Sequence, residues 1–173
     1  LMATRDLGGL AIQLCYYRGF GEFKATGFVT ETGQLLNLMN GVSCLGGRTQ
    51  ISRVLAHAVK ETREKAIRAV VFIGDCCEEP VDELCHTAGE LGMLRTPVFM
   101  FHEGADAHAR AVFQQVSKLS GGAYAPFDRN SPQVLKDLMA AVAVYASGGA
   151  KALQDFSSRS SPCLLYTSDA ADE

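Results

Sequence analysis

Apolar positions along the chain follow two alternating periods. Short β-type runs, "LAIQLCYY" at 10–17, "FKATGFV" at 23–29, "AVVFIG" at 69–74, "PVFMFH" at 97–102 and "AYAPF" at 123–127, are separated by stretches with helical spacing. The first two runs are joined by "RGFGE", too short for a parallel crossover, so they are expected to form an antiparallel pair. A short helix is expected over 32–40. A longer one begins at Arg48 or Thr49 and places Ile51, Val54, Leu55 and Ala58 on one face. Pro80 opens a helix with Val81, Leu84, Cys85, Ala88 and Leu91 inward. Another near 106–119 turns Ala109, Val112, Phe113, Val116 and Leu119 inward, and Gly121-Gly122 stops it. Ser131-Pro132 then caps a last helix, with Val134, Leu135, Leu138, Met139, Val142 and Tyr145 inward and its end at Gly148-Gly149.

Strands that are apolar on both faces and alternate with helices predict an α/β fold with a mostly parallel sheet covered on both sides. In such sheets ligands bind beyond the carboxyl ends of the strands. Residues 10–150 are expected to form this domain. Leu1 to Gly9 reads as the last turn of a helix, which implies chain upstream. Residues 151–173 are expected to lie outside the fold as a disordered or artefactual tail. Within them "CLLYTSDAADE", 163–173, resembles a translated sequencing-adapter read-through, which removes Cys163 from consideration.

Composition narrows the function classes. The chain has 173 residues and a net charge of −3, with no dense basic stripe, so neither nucleic acid nor an anionic membrane is an expected partner. Its apolar runs fall far short of the roughly 20 residues that span a bilayer. Cys15 and Cys44 sit among core-type residues, so the six cysteines are read as reduced thiols and the expected location is cytoplasmic.

The chemistry-bearing stretch is "AVVFIGDCCEEP", where a buried strand runs into Asp75, two cysteines and two glutamates. A hard cation such as Mg²⁺ takes oxygen ligands, and Asp75 offers a carboxylate where Thr49 offers a hydroxyl at another loop. Thr49 as a helix cap and Asp75 as a strand-end carboxylate is the competing structural reading. Neither Cys76-Cys77 nor Cys85-His86 has the spacing of a zinc knuckle. Cys77 precedes a helix start, where a lowered thiol pKa would permit redox chemistry. Glu78 and Glu79 are expected to favour the positive end of the helix opened by Pro80. His102 and His108 flank one loop and are read as solvated. The phosphate-binding loop, the nucleophile elbow and the H-E-x-x-H motif are all missing, so binding is expected rather than catalysis.

The order "GGRTQISRVLAHAV", "AVVFIGD", "SGGAYAPF" resembles a von Willebrand factor A domain over residues 10–150. The resemblance implies a doubly wound sheet with one antiparallel edge strand, its first strand and helix missing here. It also implies a divalent cation, Mg²⁺ or similar, held on three loops. Thr49 behind Gly46-Gly47 matches the second loop and Asp75 the third. The first loop, Asp-x-Ser-x-Ser, is absent, and Cys76 stands where glycine is common. The implied function is cation-dependent binding of another protein through an acidic side chain, with a metal site that is incomplete in this chain. A metal-free interaction domain of the same fold and a thiol sensor or enzyme centred on Cys76-Cys77 are the alternatives.

Overall fold

The computed structural model describes residues 9–159, with side chains to residue 155. The expected helix end at Leu1 to Gly9 falls almost wholly outside that range, as does the adapter-like segment. Two strands come first, β1 (Ile12–Arg18) and β2 (Glu22–Val29), then helices α1 (Thr32–Asn40) and α2 (Ile51–Glu64). There follow β3 (Val70–Gly74), α3 (Val81–Met93), β4 (Val98–Glu103), α4 (Ala107–Ser120), β5 (Tyr124–Phe127) and α5 (Pro132–Arg159). The fold is α/β, with helices on both faces of a parallel sheet.

That sheet has the order β3-β4-β5. Its centre, β4, is buried along "VFMFH" because it is apolar on both faces. Val98 and Met100 face α2, α3 and α4, in one cluster with Leu55, Leu84, Leu91, Phe113 and Phe72. Phe99 and Phe101 face α5, packing with Leu138 and Val142. Asp106 caps α4 by accepting the Ala109 N–H at 2.6 Å.

The antiparallel pair forms as the short connection requires, but as a sheet of its own, not as an edge of the parallel one. The two sheets lie side by side beneath α2. At the amino end of α2, Gln50 Nε2 donates to the carbonyls of Arg18 (3.5 Å) and Glu22 (3.3 Å), at the carboxyl end of β1. The residues just past β3 bind that same amino end. Farther along, His57 Nε2 meets Gln13 Oε1 at 2.9 Å near the start of β1. Thr62 reaches Thr96 at 3.2 Å, which in turn donates to the Ile67 carbonyl ahead of β3. Both β1 and β3 therefore run antiparallel to α2 and parallel to each other. Yet β1 pairs with β2 and β3 with β4, so among the described residues the other edge of each has no paired strand. A helix is about 10 Å across and strands pair at about 4.8 Å, so one helix touching both edges leaves room for about one strand between them.

The face away from α2 is only partly covered on this side by the described residues. α5 covers β4 and β5, while Ile73 of β3 is 46% exposed and Ile12, Leu14 and Tyr16 of β1 are only half-buried.

Several local expectations are corrected. α2 starts at Ile51 rather than Arg48 or Thr49, because Thr49 is drawn into a cross-loop bond described below. Pro80 occupies the cap position, with extended backbone, and the helical turns begin after it. Helix α5 does break at Gly149, whose φ of 72° is left-handed, but helical turns resume and run to Arg159, so residues 151–159 are helical rather than disordered. Leu119, Val134 and Met139 are exposed, and Cys44, expected in the core, lies on the surface.

Leu55 is fully buried where α2 meets the parallel sheet. Leu55→Ala is expected to cost about 2–5 kcal/mol in urea denaturation, whereas Met93→Ala, at an 81% exposed position, should change stability by under about 0.5 kcal/mol. Similar midpoints for the two would mean that α2 is not part of the core.

Candidate functional site

Thr49 and Asp75 lie on two loops that the structure brings together at the carboxyl ends of β1 and β3. The loop that carries Thr49 is held first by the β1–β2 hairpin. Gly19 N–H donates to the Leu45 carbonyl at 3.3 Å, and Arg48 N–H to the Gly19 carbonyl at 3.1 Å. Gly47 is required there, since a Cβ at that position would stand 1.9 Å from the Gly19 oxygen. The Gly46-Gly47 pair thus lets one backbone pass hard against another.

The other side of the loop is fastened to the segment after β3. Glu78 N–H donates to Thr49 Oγ1 at 3.1 Å, and Thr49 N–H donates to Glu78 Oε2 at 3.2 Å, a reciprocal pair between two chain segments. One residue on, the Glu79 carboxylate accepts from Ile51 N–H (2.5 Å), Ser52 N–H (2.9 Å) and Ser52 Oγ–H (2.6 Å). Glu78 and Glu79 therefore serve the amino end of α2, not that of α3 as their sequence position suggested. α2 has a glutamine at its cap position and no side-chain cap of its own, so an anion from another loop satisfies its free donors.

Asp75 is exposed at the tip of β3. The Cys76 thiol neighbours its carboxylate. Tyr17, from β1, faces the same loop: burial, then the charges of Glu79, Cys76 and Asp75, hold its phenol far above the ordinary range. Tyr17 was legible only as a strand residue, because nothing in the sequence places β1 beside residues 75–79.

The thiols do not favour redox chemistry. Burial, Asp75 and other neighbouring carboxylates push Cys76 up to about 11. Cys77 is buried and raised as well, chiefly by burial, and Cys85 is raised by burial and Asp82. A reactive cysteine needs the opposite, an electropositive setting that lowers its pKa. His108 is exposed as expected, but His102 is fully buried, which corrects its reading as a solvated loop residue.

Thr49 and Asp75, the two residues expected to ligate a cation, stand on these two loops, with the Thr49 hydroxyl already accepting from Glu78 N–H. Among the described residues no group of three or more His, Cys, Asp or Glu side chains is placed to hold a metal ion. Mg²⁺ demands near-octahedral oxygen ligation, and two donors from one chain leave most of its hydration shell in place. Among the same residues no helix is long and apolar enough to cross a membrane. No family model matches the chain, and no curated protein matches it.

Glu79→Ala is expected to lower stability by about 2 kcal/mol and Glu79→Gln, which keeps an acceptor, by about half as much, in chemical denaturation. Unchanged stability would mean that water serves the end of α2 equally well. The alkylation rate of Cys76 by iodoacetamide is expected to climb about tenfold per pH unit from pH 7 to about 10, because the thiolate forms near pH 11. A plateau near pH 8.5, the value of an ordinary thiol, would contradict that surrounding.

Proposed function

We propose that the chain is a von Willebrand factor A-like domain lacking one strand and one helix, and that the completed domain binds another protein through a divalent cation. The observation that carries this reading is that, among the described residues, β1 and β3 belong to separate sheets under one helix, which points to a slot between them. Both bordering strands run the same way, and both end at the loops holding Thr49 and Asp75. A strand lying parallel between them would end at those same loops and could add acidic or hydroxyl oxygens to Thr49 and Asp75. A helix following it would cover Ile12, Leu14, Tyr16 and Ile73, the apolar face that α5 does not reach. The doubly wound single sheet of the resemblance is recovered by this one insertion.

The Thr49 hydroxyl, the Asp75 carboxylate and the added strand would hold the ion. The ion would supply a positive centre able to accept an acidic side chain of the partner protein. The chain's own part is to fix the two loops: the Thr49–Glu78 pair and the Glu79 cap tie them, so neither must reorganise when a ligand arrives. A metal-free interaction domain of the same fold is the second reading, and the same pair favours it, because Thr49 and Glu78 satisfy each other with no ion present.

The present chain is expected to bind Mg²⁺ or Mn²⁺ only in the millimolar range or not at all by titration calorimetry. A chain extended upstream to fill the slot should bind at least about tenfold more tightly, and Asp75→Ala in that longer chain should abolish the gain. An extended chain whose affinity is indifferent to Asp75→Ala, or whose partner binding survives a chelator, would favour the metal-free reading.

A further inference from the structure

His102 is fully buried at the carboxyl end of β4, the central strand. Its register partner is Gly74, the last residue of β3, so its ring reaches across to the chain just beyond. Nε2 lies 3.3 Å from the Asp75 carbonyl and Nδ1 lies 3.0 Å from the Tyr124 hydroxyl, while Phe113 packs edge-on at 5.3 Å. A carbonyl can only accept, so the neutral ring carries its proton on Nε2, and Nδ1 accepts from Tyr124 O–H. Both nitrogens are satisfied inside an apolar setting, which the neutral ring tolerates and a space-filling Phe would not reproduce. Asp75, His102 and Tyr124 thus form a chain of bonds from just past the end of β3, through β4, to the first residue of β5.

We propose that His102 is a positioning residue: pinned by Tyr124, it grips the Asp75 carbonyl and so sets the path of the 75–79 loop that presents the Asp75 carboxylate and meets Thr49. Its bearing on a cation rests on the reading given above, whereas its hold on the loop does not. Among the described residues, that loop also bonds the α2 side through Thr49, Ile51 and Ser52, and Cys77 packs into the core. His102 ties it to the sheet.

Two measurements on the unliganded chain test this. Long-range ¹H–¹⁵N spectra at neutral pH should find the His102 proton on Nε2; a proton on Nδ1 alone would leave Asp75 unheld and overturn the proposal. The Glu78 amide, which donates to Thr49, should exchange about fivefold faster or more in His102→Phe and return close to the wild-type rate in His102→Gln, whose amide can both donate and accept. Wild-type exchange in His102→Phe would reduce His102 to core filling. If His102→Phe does not fold, the wild-type tautomer decides alone. Neither measurement involves a cation, so failure here is distinct from failure of the cation titration.

Discussion

The Glu79 carboxylate, accepting from two backbone amides and a hydroxyl at the start of α2, is the junction on which the arrangement depends. It joins the end of β3 to the helix that also roofs β1 and β2. The Thr49–Glu78 pair makes the same connection beside it, and Tyr17 adds apolar contact with the main core. Directed polar bonds add what apolar packing lacks, a fixed orientation. With the junction in place, the carboxyl ends of β1 and β3 stand at the same level, and the loops carrying Thr49 and Asp75 meet.

The same geometry explains why two sheets exist. An unpaired strand edge presents a row of free donors and acceptors, which proteins ordinarily pair or cover. Here two such edges run in the same direction under one helix, beside an apolar face that α5 leaves open. A single additional strand would satisfy both rows, and a helix after it would cover the face.

Much of the fold was legible in the sequence because strand and helix periods are local properties. "PVFMFH" could be read as a strand and "RGFGE" as a hairpin connection from a few residues each. The pair Gly46-Gly47 signalled a tight loop, though not that it would press on Gly19. What could not be read depends on distant neighbours. Glu78 and Glu79 adjoin α3 in sequence but serve α2, since a free helix end accepts whichever anion the fold delivers. His102 looked like a loop residue because it closes the run "PVFMFH", and its partners, Asp75 and Tyr124, come from the neighbouring strands. Gly148-Gly149 did mark a break, but a positive φ at one glycine interrupts a helix without forbidding another beyond it. The single sheet was expected from strand composition alone, which says nothing about which edges meet.

The most direct test of the slot is amide hydrogen exchange at its two walls. Val70 N–H donates to Pro97, toward β4, so the alternating N–H groups of Val71 and Ile73 point to the free edge. On β1, Leu14 N–H points toward β2, which turns those of Cys15 and Tyr17 outward. In the present chain these four amides should exchange rapidly, and in a chain extended upstream they should become protected together. Protection of all four in the present chain would mean that β1 and β3 already pair, and their continued rapid exchange in the extended chain would mean that no strand belongs between them.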